Sequence, residues 1–234
     1  MKIGFFELEP WEEEYIKKNN KGQHLYFLDG PLTLRNCERA RNLNVVVVFI
    51  YSELDRKLLE RLPKLKYVTT MSTGFDHIDL EFCKEKGIKV CNVPSYGENT
   101  VAEYTFALLL ALSRKIPDSI SHAHKIDFSI RGLRGFDLKG KTIGVVGPGK
   151  IGQHVIKIAR GFDMNIIVHG MKKDIKLSEN LGFKWAKNFD DLLKKSDIIT
   201  FHVPFLPATK HLLNMKNIKL IKKGAYLINT SRGE

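Results

Sequence analysis

The chain has 234 residues, 43% hydrophobic and 27% charged, and 38 Lys and Arg against 26 Asp and Glu leave a net charge of +12. Ample apolar material excludes a mainly disordered chain, and the longest apolar run, 106–112, is far short of the roughly 20 residues that a bilayer-spanning helix needs. The cationic excess is spread along the chain as a solvated surface able to steer anions, with no nucleic-acid-binding motif or repeat, so neither nucleic acid nor membrane is an expected partner.

The N-terminus is broken by acids at Glu7 and Glu9 and does not read as a leader. Strands are predicted at 2–8, 24–28, 44–49, 66–72 and 88–93, with helices at 10–18, 53–61 and 80–86. Asp79 would cap the last helix and Gly87 would end it. The run Val45-Val46-Val47-Val48-Phe49 is apolar throughout. Such a strand is buried on both faces, which marks a parallel sheet covered by helices. The first half therefore reads as a small α/β domain ending near Pro94.

Thr100-Val101-Ala102-Glu103 then reads as the capping box of a helix that is apolar from Tyr104 to Leu112 and stops before Pro117. Apolar nearly all round, this helix would be buried. Residues 118–138 read as a connector. The alternation restarts with strands at 142–147, 165–170, 197–203 and 225–231, and helices at 150–161, 189–196 and 214–221. The apolar strand 225–231 lies three residues from the last residue, Glu234. A central strand needs a following crossover and a neighbour, so the second sheet reads as unfinished. The cysteines, Cys37, Cys83 and Cys91, form no metal-type cluster, and an odd number argues against a disulfide framework. A reducing cytoplasm suits them.

The strongest local signal is Gly147-Pro148-Gly149-Lys150-Ile151-Gly152. It follows the apolar strand from Thr142 and opens a helix, the setting in which this pattern cradles the diphosphate of a dinucleotide. Gly147 permits the tight turn, Gly149 lets the backbone approach the anion, and Gly152 lets helix and strand pack closely. Free N–H groups at the helix start then face the phosphates. The same motif expects an acidic residue at the end of the next strand, accepting from the adenosine ribose. That residue is Gly170, followed by Met171, Lys172 and Lys173. Losing the carboxylate removes repulsion toward a 2′-phosphate, so NAD and NADP both stay open.

These pieces form a set that resembles the D-isomer-specific 2-hydroxyacid dehydrogenases, closest to their D-lactate dehydrogenase-like branch. The matching segments run from Ser72-Thr73-Gly74-Phe75-Asp76-His77-Ile78-Asp79, through Asn92-Val93-Pro94-Ser95-Tyr96 and the 135–142 approach to the glycine loop, to His202-Val203-Pro204 and Asn229-Thr230-Ser231-Arg232-Gly233. The resemblance implies a flavodoxin-like N-terminal substrate domain over 1–98. It also implies a Rossmann-type doubly wound parallel sheet over 99–234 that binds NAD(P) and is incomplete at its C-terminus. The implied reaction reduces a small 2-oxo acid to a D-2-hydroxy acid in the cytoplasm, pyruvate to D-lactate first among the candidates, in a homodimer built through the cofactor domain.

By the same resemblance Arg232 grips the substrate. A planar guanidinium can hold a carboxylate and polarise the adjacent carbonyl. Backbone N–H groups of Thr73 and Gly74 would hold the carboxylate, and Tyr51 and Tyr96 would line the pocket, although core burial serves equally for each tyrosine. Val203, Pro204, Thr230 and Ser231 would border the cofactor. His202 and His77 read as structural. The family's general acid/base His and its orienting Glu lie beyond the arginine, and no residue here matches them. The chain is therefore expected to be a fragment that turns over slowly or not at all. Met71, Leu206 and Asp163 also depart from the D-lactate branch. Two other readings are a dinucleotide-binding scaffold like the family's corepressor branch, and a non-functional product of a frameshifted gene.

Overall fold

Runs of β-branched residues fall into two separate parallel sheets. The computed structural model describes residues 1–233, and its contacts divide the chain into two units, Met1–Tyr96 and Gly97–Glu234.

In the first unit the sheet contains β1 (Lys2–Phe6), β2 (His24–Leu28), β3 (Val45–Val48), β4 (Tyr67–Thr70) and β5 (Lys89–Cys91), in the order β2-β1-β3-β4-β5. All pairings are parallel, and this is the flavodoxin-like order. As its sequence requires, β3 is buried at Val46, Val47 and Val48. Val46 and Val48 lie in a core with Phe6, Leu54, Leu58, Val68 and Phe82, while Val47 is buried on the other face of the strand. The helices are α1 (Pro10–Asn19), α2 (Arg56–Leu59) and α3 (Leu80–Glu85). The Asp79 side chain does cap α3, accepting from Phe82 N at 2.8 Å. The expected 53–61 helix shortens to α2 because Asp55 is its cap, accepting from Leu58 N at 2.9 Å, while Leu54 bridges to Ile78.

The second unit has β6 (Thr142–Val146), β7 (Asn165–His169), β8 (Lys184–Trp185), β9 (Ile198–Phe201) and β10 (Tyr226–Asn229), ordered β10-β9-β6-β7-β8. Numbered within the unit this is 3-2-1-4-5, the first five places of the doubly wound dinucleotide-binding order. One face is covered by α4 (Glu98–Ser113) and α6 (Lys150–Gly161), through Ala102, Phe106, Leu109, Val155, Ile156 and Ala159. The other is covered by α8 (Phe189–Lys195), through Leu192 and Leu193.

Several expectations are corrected here. The Thr100–Glu103 capping box does not form, because α4 begins earlier, with Gly97 as its N-cap. Nor is α4 buried all round, since Tyr104 and Leu112 are exposed. The 118–138 connector contains most of a helix, α5 (Ile116–His124), with Pro117 in its first turn, where a missing N–H costs nothing. The helix expected at 214–221 is only a 3₁₀ turn, Ile218–Leu220. Its asparagines take the backbone groups a helix would use. Asn217 Oδ1 accepts from Asn214 N at 2.8 Å, and Asn214 Oδ1 accepts from Lys216 N at 2.9 Å. Finally, α7 (Ile175–Leu181) and β8 were not anticipated, although Asp174 and Gly182 mark the ends of α7.

Candidate active site

In the second unit, β6 runs into the glycine loop at the point where strand order reverses, the place where sheets of this kind bind ligands. Gly147 is left-handed, with φ +95°, and a Cβ there would stand 2.6 Å from the His202 carbonyl oxygen. A Cβ on Gly152 would stand 2.1 Å from the Gly147 oxygen. Both glycines are therefore fixed by close backbone approach. Gly149, the N-cap of α6, has open space above it, and no side chain caps α6. An uncapped helix start facing a Cβ-sized gap fits the diphosphate of a dinucleotide. Lys150, first in α6, pairs with Glu98 at 3.4 Å, and Ile151 is half-buried beside it.

At the ends of β9 and β10, Val203 and Pro204 line a cavity of about 260 Å³ together with Asn229, Ser231 and Arg232. Val203 also touches the glycine loop, lying 2.8 Å from a Cβ built on Gly147. Ser231 Oγ donates to the Phe201 oxygen at 2.9 Å, and Thr230 Oγ1 meets Thr105 Oγ1 at 3.2 Å. The Asn229 amide donates to the Arg232 carbonyl, and the Arg232 guanidinium to the Ser231 carbonyl at 3.1 Å. Arg232 itself is exposed at the cavity wall. Beneath the turn, His202 is buried, with Nε2 2.9 Å from Thr200 Oγ1. Burial pushes its pKa down to about 4, so the ring is neutral and structural near neutral pH.

The first unit builds its strand ends differently, with side chains that sequence reasoning missed. Glu7, just past β1, is left-handed with φ +62°. Its carboxylate spans the strand-order reversal between β1 and β3, accepting from Tyr51 N at 2.8 Å, from Phe49 N at 3.3 Å and from Ser52 Oγ. Ser52 Oγ in turn accepts from Leu32 N at 2.9 Å. Past β4, the buried Thr70 and Ser72 hydroxyls lie 2.6 Å apart, and Ser72 Oγ donates to the Gly74 oxygen at 2.7 Å. Thr73 is tied to the β5 end on both sides. Its hydroxyl donates to the Val93 oxygen at 2.9 Å, and its carbonyl accepts from Asn92 Nδ2 at 2.8 Å. The loop carrying the Thr73 and Gly74 N–H groups is thus held by three side-chain hydrogen bonds. Tyr51 and Tyr96 are exposed, so neither is a core aromatic. An acidic residue just past a strand at the reversal point was the available signal for Glu7.

Comparison with known proteins gives these geometries a context. The family model described as "D-isomer specific 2-hydroxyacid dehydrogenase, NAD binding domain" matches residues 106–234. The chain is 33% identical to the D-lactate dehydrogenase of Escherichia coli, over 100% of this chain and 71% of that protein. It is 35% identical to the glyoxylate reductase of Thermococcus litoralis, over 98% of this chain and 67% of that protein. The structure of Aquifex aeolicus D-lactate dehydrogenase complexed with NAD and lactic acid superposes with a TM-score of 0.91 at 33% identity, covering 99% of this chain and 69% of that one. The chain belongs to the D-isomer specific 2-hydroxyacid dehydrogenase family and carries its NAD-binding domain.

Proposed function

We propose that this NAD-dependent 2-hydroxyacid oxidoreductase reduces a small 2-oxo acid to the D-2-hydroxy acid, with pyruvate and D-lactate the leading pair. The observation that carries the reading is the glycine loop, where Gly147 and Gly152 admit no Cβ while Gly149 opens on free space at an uncapped helix start. Residues 99–234 are assigned the cofactor and 1–98 the substrate carboxylate. When bound, the reduced nicotinamide cofactor supplies the hydride. Gly147, Pro148, Gly149, Lys150, Ile151 and Gly152 hold the diphosphate, with Gly170, Met171 and Lys172 toward the adenosine ribose. Val203, Pro204, Thr230 and Ser231 border its other end. Thr73 and Gly74 offer preformed N–H donors to the substrate carboxylate, Tyr51 and Tyr96 shield it, and Arg232 neutralises charge gathering on the carbonyl oxygen. The acid/base His and Glu are not assigned to any residue of this chain.

The test separates binding from turnover. NADH should quench tryptophan fluorescence, and oxamate, an unreactive pyruvate analogue, should bind only after NADH. Arg232→Ala should weaken oxamate by about tenfold or more, the loss of a charge-assisted bidentate contact, and leave NADH unchanged. Oxamate binding that ignores Arg232 would overturn the role given to it. Dinucleotide binding with no response to oxamate, pyruvate, glyoxylate or hydroxypyruvate would favour the scaffold reading.

The homodimer reading has its own support in Ile126, Phe128 and Ile130, which are 80%, 82% and 87% exposed just past α5. Replacing all three by Asp should lower the mass measured by light scattering to that of a monomer. Three free cysteines accord with a reducing cytoplasm.

A further inference from the structure

We propose that the cofactor site accepts the 2′-phosphorylated dinucleotide, NADP(H), at least as tightly as NAD(H), because Pro148 closes the position a discriminating carboxylate would need and two lysines follow it. The inference rests on the reading of the glycine loop as a dinucleotide cradle.

Gly170 directly follows His169, the last residue of β7, next to the strand that carries the glycine loop. A Cβ there would stand 2.8 Å from Pro148 Cδ and 3.2 Å from its Cγ, with Trp185 Cζ3 at 3.6 Å. Neither wall gives way easily. The Pro148 ring is rigid, and its carbonyl accepts from Gln153 Nε2 at 3.1 Å. Trp185 donates Nε1–H to the Asp174 oxygen at 3.1 Å and meets Phe183 edge-on, with centroids 5.2 Å apart. The missing carboxylate is therefore not an isolated change at 170. The second residue of the glycine loop is shaped to the same vacancy.

The next carboxylate along the chain is turned to other work, since Asp174 Oδ1 accepts from Leu177 N at 3.0 Å and caps α7. Between Gly170 and Asp174 the chain places only Met171, Lys172 and Lys173, all exposed. Among the described residues neither lysine takes part in an ion pair. Lys173 lies close enough to His169 to help burial lower the imidazole pKa, so that ring adds no charge near neutral pH. Between Gly170 and Asp174 the segment thus carries two ammonium groups and no carboxylate. A 2′-phosphate, with close to two negative charges, gains from the first and meets no repulsion.

Nucleotide fragments test this without turnover. By calorimetry at low salt, 2′,5′-ADP should bind about tenfold more tightly than 5′-ADP, the worth of one charge-assisted contact, and added salt should narrow the gap. NADPH and NADH should rank the same way by fluorescence. Lys172→Ala/Lys173→Ala should remove the preference, bringing the two fragments level. Tighter binding of 5′-ADP and NADH would overturn the inference. Binding of neither fragment would instead overturn the cradle on which it rests. Gly170→Asp alone should weaken both dinucleotides by distorting the loop, whereas Pro148→Ala/Gly170→Asp should recover NADH and lose NADPH. A single Gly170→Asp variant that keeps full NADH affinity would refute the interlock with Pro148.

Discussion

The two units build the carboxyl ends of their parallel strands, where the proposed binding surfaces lie, from opposite materials. In the second unit the surface is bare backbone, because Gly147 and Gly152 are packed too closely for any side chain. In the first it is backbone laced by side chains, with Glu7, Ser52 and Asn92 bonding across neighbouring strand ends and Thr70 and Ser72 bonding within the 70–74 turn. A diphosphate needs several N–H donors along an exposed edge, which glycines and a helix start provide. A small carboxylate needs one or two donors held at a fixed angle, which a loop achieves only when braced.

The contrast can be broken hardest at Gly152. An Ala there meets a backbone oxygen at 2.1 Å, so Gly152→Ala should cost about 3 kcal/mol by overpacking and abolish measurable NADH binding. Gly149→Ala has open space and a φ of −69°. It should leave the urea midpoint unchanged while weakening NADH by about tenfold, since its methyl group stands where phosphate oxygens approach. Equal destabilisation by the two would remove the distinction between a packing glycine and a binding one.

Acid should next separate the units. His202 titrates near 4 when folded against 6.5 when unfolded, so the unfolded chain binds the extra proton between those values. The stability this gives is fully present above pH 6.5 and falls as pH drops toward 4, by about 3 kcal/mol. His202→Gln should flatten that slope in urea melts followed across the interval. A slope unchanged by the substitution would place the titration elsewhere.

The smallest expected effect is at the brace. Glu7→Ala leaves the Phe49 and Tyr51 N–H groups without their acceptor, which should cost about 2 kcal/mol. With the loop loosened, oxamate should weaken and NADH should not, because the bonds of the Glu7 carboxylate to Phe49, Tyr51 and Ser52 lie within the first unit. A parallel loss of NADH affinity would contradict the assignment of this brace to the substrate.

Much of the cofactor surface was legible in order along the chain. A buried strand, three glycines at fixed spacing and a helix are local, and each glycine has one dominant physical reason to be there. The strands of both sheets apart from β8 were legible too, since 45–49 and 142–147 are apolar beyond what a one-faced strand carries. Elements fixed by competition among polar side chains were not. The 214–221 segment has helical periodicity, yet its asparagines bond to its own backbone. The helix at Ile116–His124 has only the short apolar stripe Ile116, Ile120 and Ala123 and buries none of it, so hydrophobic burial did not mark it.

By itself, then, the sequence determined the parallel α/β class, the glycine loop and the family, because those rest on hydrophobic burial and on backbone freedom written residue by residue. Only the tertiary structure decided that Glu7 braces the loop at 49–52, 42 to 45 positions away, and that Pro148 fills the space beside Gly170. Both are contacts between residues remote along the chain. Their meaning exists only once parallel strands bring the two ends side by side.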